Sequence, residues 1–201
     1  MRLVFVHGWG FDASFWDDLA GALPEFDAAR VELGFLGREF SLPTFSPDDV
    51  LIGHSLGFLW GATQYQGWSR MIAINAFAEF SGEMGVASAS LRAMRTSLKR
   101  DPQKTLANFY ASLNGPQVPR EFQAERLAEG LAWLQDWRLG EKPGVPSLVL
   151  SGAKDPLLPA RATTHLAEML DAPARLHETG GHLLPLSDPK WCAAAIRAFL
   201  A

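Results

Sequence analysis

What the chain lacks narrows its chemistry first. Its 201 residues include one cysteine, Cys192, so no intramolecular disulfide can form and a multi-cysteine zinc site is excluded. A dominant charge of one sign is also missing, since 18 Lys and Arg against 22 Asp and Glu leave a net charge of -4. That balance offers no general footprint for nucleic acid or for an anionic membrane. The first apolar run, Met1 to Val6, stops at His7-Gly8, too short for a signal-peptide core or a membrane span. No internal repeat or low-complexity tract is present. These absences lead us to expect a cytoplasmic protein without a nucleic-acid or membrane partner. A monomer is expected, although no sequence feature marks an assembly surface directly.

What is present has the balance of a globular domain, with 48% apolar and 20% charged residues. Short apolar runs at Leu3–Val6, Val50–Ile52, Met71–Ile74 and Pro146–Leu150 read as buried strands, with weaker ones at Ala29–Leu33 and Ala174–His177. Helical patterns fall between them: Phe15, Leu19 and Leu23 up to Pro24, then Leu59 to Gln64, Arg161 to Leu170 and Pro189 to Leu200. This alternation predicts an α/β fold with a mostly parallel sheet of about six strands flanked by helices. Residues 78–141 break the alternation with helical stripes only, such as Leu91, Met94 and Leu98. They are expected to form a helical cap inserted into a core made of residues 1–77 and 142–201.

Gly53-His54-Ser55-Leu56-Gly57 lies between a predicted strand and a predicted helix, the setting of a G-x-S-x-G nucleophile elbow. The flanking glycines allow a tight turn that pushes the serine hydroxyl out above the sheet. A serine hydroxyl needs a base, and five histidines are available. His7 precedes the first glycine turn, His54 lies inside the elbow, His165 falls in a predicted helix and His177 in a predicted strand. His182 follows Gly180-Gly181 after the last strand, at the sheet edge where open parallel sheets bind ligands. Asp155, in the loop after the Pro146–Leu150 strand, completes the chain order Ser, Asp, His, with Glu79 as the nearest rival. The amides of Leu56 and Trp9 are the candidate oxyanion donors. Trp9, Phe77, Phe109 and Leu157 are candidate pocket walls, each of which could instead be core.

With His7-Gly8-Trp9-Gly10, the elbow, Asp155 and Gly181-His182 in place, the sequence resembles the α/β-hydrolase superfamily over nearly its whole length. Val6 to Gly10 and Ala13 to Trp16 are similar to the pimeloyl-ACP methyl ester esterases of biotin synthesis, as are the stretches Thr105–Leu113 and Leu127–Leu139. The resemblance implies a serine carboxylester hydrolase with no cofactor and no metal, acting on a small or carrier-bound acyl ester. Acyl carrier protein would then be a partner. Arg92, Arg95 and Lys99 share one helical face, with Arg100 and Lys104 following. They are candidates for docking the acidic carrier, or simply a solvated face. A general short-chain esterase, an acyl thioesterase or acyl transferase, and a non-catalytic sensor on the same fold are the competing readings.

Overall fold

A computed structural model of the protein describes residues 1–140 and 142–201. The apolar runs become six parallel strands, β1 (Arg2–Val6), β2 (Asp27–Val31), β3 (Asp49–His54), β4 (Arg70–Ile74), β5 (Ser147–Gly152) and β6 (Ala174–His177), ordered β2-β1-β3-β4-β5-β6. Strands β3 and β5 are buried at every position, and β1 and β4 at every position after the first. Such strands read as continuous apolar runs because helices cover both faces of the sheet. The edge strands β2 and β6 are mostly exposed, which is why their sequence signal is weaker.

The helices are α1 (Asp17–Gly21), α2 (Leu56–Gln64), α3 (Ser88–Arg100), α4 (Pro102–Ser112), α5 (Ala124–Asp136), α6 (Ala160–Leu170), α7 (Leu184–Ser187) and α8 (Pro189–Leu200). The core is filled by large side chains such as Phe5, Trp16, Phe35 and Phe58, all fully buried. Each contributes about 1.5–3 kcal/mol through apolar burial. Three helices, α3 to α5, stand between β4 and β5, where only helical stripes occur in the sequence. The last residue of the expected cap, 141, lies outside the described residues. Among the described residues no helix is long and apolar enough to cross a membrane.

Two local departures have physical causes. The helix expected over Phe15 to Leu23 divides into a tight 3-10 turn at Ala13–Trp16 and the short α1. Asp12 caps that turn by accepting the Ser14 N–H, and both Phe15 and Trp16 are buried, which the tight turn allows for adjacent residues. Strand β2 ends at Val31, earlier than the expected Leu33. The Glu32 backbone pairs instead with Ser41 in an isolated antiparallel bridge, while its carboxylate accepts the N–H groups of Ala13 and Gly34 and meets His7 in a buried cluster.

Candidate active site

Strand β3 runs into α2 through Ser55, whose backbone sits at φ 53 and ψ -125. A non-glycine residue in this region costs about 1–3 kcal/mol, so the surroundings must enforce it. They do. A Cβ on Gly53 would lie 2.3 Å from Phe58 Cα, and one on Gly57 would lie 2.1 Å from the Val6 carbonyl oxygen. Only glycines let α2 pack this closely on β1 and β3. The turn therefore stays tight, and Ser55 stands at the N-terminus of α2, where the helix dipole favours negative charge.

His182 Nδ1 lies 2.7 Å from Asp155 Oδ2, and His182 Nε2 lies 3.1 Å from Ser55 Oγ. An ionised carboxylate can only accept, so Nδ1 carries the proton and Nε2 is free to accept the Ser55 hydroxyl. Asp155 reaches this place because the loops after β5 and β6 meet backbone to backbone. The Lys154 N–H donates to the Gly180 carbonyl, and a Cβ on Gly152 would come within 2.3 Å of that same oxygen. Asp155 Oδ2 also accepts from Asn75 Nδ2 at 2.9 Å, while Oδ1 accepts the N–H groups of Leu157 and Leu158 at 2.8 and 3.0 Å. Burial alone would raise its carboxyl. The His182 bond and charge and the two N–H groups outweigh that and hold it below the ordinary carboxylate range. The rival Glu79 is paired instead with Arg138 at 3.0 Å.

Two backbone N–H groups adjoin Ser55. Leu56 follows it in the chain, and Trp9 lies in the first glycine loop, where a Cβ on Gly8 would stand 3.2 Å from Ser55 Cβ. Among the described residues neither N–H has an acceptor in a turn, loop or cap. The Gly8–Trp9 peptide is oriented by its own carbonyl, which accepts from His7 Nδ1 at 3.0 Å. On its other edge, His7 Nε2 lies between the Leu33 N–H at 3.0 Å and Glu32 Oε1 at 3.2 Å. Burial raises the Glu32 carboxyl, but the contact with His7 and the N–H groups of Ala13 and Gly34 bring it below the ordinary range.

With the geometry set, the comparisons place the chain. A model of the alpha/beta hydrolase family matches residues 3–195. The chain belongs to that family. Among curated proteins it is 29% identical over 193 residues to the pimeloyl-[acyl-carrier protein] methyl ester esterase of Legionella pneumophila (strain Lens), with 80% of this chain and 78% of that protein covered. Among solved structures it superposes on an esterase from Exiguobacterium antarcticum with TM-score 0.83 at 16% identity, covering 99% of this chain and 91% of that one. It also superposes on a thermophilic esterase from Thermogutta terrifontis with TM-score 0.78 at 18% identity, covering 100% and 89%. At these identities the structural matches speak for the alpha/beta hydrolase fold.

In this family member the segment between β4 and β5 touches the site at several points. Tyr110 Oη donates to the Gly10 carbonyl at 2.5 Å, and Trp9 Nε1 donates to the Leu127 carbonyl at 2.8 Å. A Cβ on Gly115 would lie 3.3 Å from Leu183, next to His182. Ser55 and His182 are 6% and 1% exposed. Trp9 and Phe109 meet edge to face with centroids 4.8 Å apart, and Phe109 and Leu157 both line a cavity of about 270 Å³ with Met94 and Asn108. Phe77 is placed apart from them, fully buried against Phe80. Of the basic trio, Arg92 and Lys99 are exposed, whereas Arg95 is half-buried and bonded to Gln135 on α5. Sequence reasoning missed His54, Asn75 and Glu32, whose partners lie far along the chain. The one signal for Asn75 was an asparagine at the end of an apolar strand, where it takes φ 46.

Proposed function

We propose that the protein is a serine carboxylester hydrolase in which Ser55 is the nucleophile, His182 the general base and Asp155 its orienting acid. The observation that carries this reading is the hydrogen-bonded chain from Ser55 Oγ through His182 to Asp155. Ser55 Oγ attacks the ester carbonyl carbon while His182 Nε2 takes its proton. The carbonyl oxygen gains negative charge, which the N–H of Leu56 at the start of α2 and the N–H of Trp9 in the first glycine loop receive. As the C–O bond breaks, His182 returns the proton to the leaving alkoxide and the alcohol departs. His182 then deprotonates a water that attacks the acyl-enzyme, freeing the carboxylic acid and restoring Ser55. Asp155 remains ionised throughout and stabilises the imidazolium. The low carboxyl pKa suits that role.

For the substrate, we propose the methyl ester of a pimeloyl chain on acyl carrier protein, in the cytoplasm, with the inserted helices as the lid. The curated relatives support this choice by name. The exposed Arg92, Lys99, Arg100 and Lys104 support it by charge, since an acidic carrier would be steered to such a face. A second reading, a short-chain esterase acting on free esters, is favoured by the burial of Ser55 and His182, 6% and 1% exposed, which leaves little room for a long acyl chain at the nucleophile. A kinetic panel of p-nitrophenyl acetate, dimethyl pimelate and the carrier-bound methyl ester separates them. The carrier-bound ester should have the highest kcat/KM, and reversing Arg92 and Lys99 to Glu should lower that value alone. A preference for the acetate, unmoved by charge reversal, would favour the short-chain reading.

A further inference from the structure

We infer that His54 is a positioning residue for hydrolysis, its ring setting the spacing between the elbow, the first glycine loop and the loop that bears His182. The inference rests on the serine-hydrolase reading and extends it to a side chain that touches no substrate. Three contacts carry it. His54 precedes Ser55 directly, so its ring is tied to the strained turn. Its Nε2 lies 2.9 Å from the backbone carbonyl oxygen of His182; a carbonyl only accepts, so Nε2 bears the proton and donates. The opposite ring nitrogen, Nδ1, faces Gly8, where an added Cβ would stand 2.8 Å away. Gly8 is thus required partly because His54 occupies the space its side chain would fill.

The ring is fixed on its faces as well. It stacks on Phe15 with centroids 4.6 Å apart and planes at 28°, while Phe11 and Trp16 meet it edgewise. Its centroid is 4.9 Å from that of His182. His54 is fully buried, and among the described residues its Nδ1 has no hydrogen-bond partner. An orphaned buried acceptor is costly, and an apolar ring would fill this aromatic box without that cost. What the imidazole adds is the bond to the main chain of His182. Asp155 fixes the far edge of the His182 ring and His54 fixes the backbone that carries it, so Nε2 is held on the Ser55 hydroxyl from two sides. Burial, reinforced by the neighbouring His182, keeps the His54 ring neutral, so the bond needs no counter-charge.

His54→Phe keeps the aromatic packing and deletes the donor; His54→Gln keeps a side-chain N–H donor. The folded His54→Phe protein should lose about 10²-fold in kcat with KM unchanged. The low-field proton resonance of the His182 Nδ1–H bound to Asp155 should shift or broaden, and His54→Gln should recover part of both. If His54→Phe does not fold, Gly8→Ala, which presses on the same ring, should move the same resonance. Wild-type kcat in folded His54→Phe, or an unmoved resonance in the folded variants, would overturn the inference. The resonance is recorded without substrate. It therefore separates a failure of this inference from a failure of the esterase reading, which inactive or active Ser55→Ala protein decides.

Discussion

The Ser55 site and the groove beside α5 are built in opposite ways. The groove has a volume of about 900 Å³, lies between residues 34–45, α2 and α5, and is walled by Phe40, Phe45, Trp60, Trp133 and Trp137. Among the described residues its walls include no serine, cysteine or histidine. Ser55 and His182, by contrast, are nearly inaccessible and line neither the groove nor the cavity beside α4. The difference lies in what each region spends its contacts on. Around Ser55, glycines and hydrogen bonds fix individual atoms: side-chain bonds hold Ser55 Oγ, His182 Nε2 and Asp155 Oδ2, and backbone N–H groups hold Asp155 Oδ1. In the groove, large rings and one sandwiched guanidinium, Arg126, fill space without aiming a reactive atom at it. Volume alone points to the groove; atom-by-atom constraint points to Ser55, His182 and Asp155.

The largest expected effect tests whether the buried region is the only source of chemistry. Ser55→Ala should lower kcat for p-nitrophenyl acetate by at least about 10⁴-fold, because removing the nucleophile leaves only binding and oxyanion stabilisation. Purified Ser55→Ala protein that retains turnover would break the comparison outright. Asp155→Asn should cost somewhat less, about 10²–10⁴-fold in kcat. The carboxamide Nδ2 would present a donor where His182 Nδ1–H now donates, favouring the wrong tautomer. Steady-state kinetics on folded protein reads this directly, and a kcat within tenfold of wild type would remove Asp155 from the orienting role.

The same contrast explains how much could be read from the chain. That Ser55, His182 and Asp155 would meet in space could be read because each follows a strand recognisable from its apolar run, and their order along the chain is itself informative. The strands and the helices α3 to α5 were legible for the same reason, through period and burial. His54 was passed over as a neighbour of the nucleophile because its partner, the carbonyl of His182, is 128 residues away. Asn75 and Glu32 were missed similarly: a buried polar group declares its role only through the atoms it meets. α7 was missed because Pro185 stands in its first turn and it spans only Leu184–Ser187. The groove was invisible for a different reason. Its walls come from three separate segments, and no local pattern signals that they face one another.

A smaller effect comes from pH. Buried His54 has its pKa held well below the ordinary 6.5, first by burial and then by His182. The unfolded chain therefore takes up this proton at higher pH than the folded one, so stability is complete above about pH 6.5 and falls as pH drops below it. The slope for one such group is at most about 1.4 kcal/mol per pH unit. Asp155 and Glu32 act lower, where their depressed carboxyl pKa values cause further loss as pH falls through the acid range. Urea unfolding at a series of pH values should show the first decline between pH 6.5 and 5 in wild type and a flatter line in His54→Phe. Equal slopes would mean that the unfolded and folded states protonate His54 alike.

The smallest expected effect is at the groove. Phe40 and Leu42 are each 46% exposed, so replacing both by Ser removes apolar surface that is already half in water. Arg126 would lose its contact with Phe40 but keep Trp133 at 4.7 Å, the Leu33 carbonyl and Glu129. kcat/KM for p-nitrophenyl acetate should therefore stay within about twofold of wild type, the spread expected for surface changes remote from the chemistry. A physical route between the regions does exist: Trp133 meets Phe35 at 6.2 Å, and Phe35 meets His7, which orients the Gly8–Trp9 peptide, at 5.8 Å. Phe40 and Leu42 lie at the outer end of that route, while Trp133 lies within it. If Phe40→Ser with Leu42→Ser cut kcat tenfold, the groove and the site would have to be read as one device joined through Phe35. If only Trp133→Ala did so, the coupling would belong to the α5 wall and the outer groove would remain separate from catalysis.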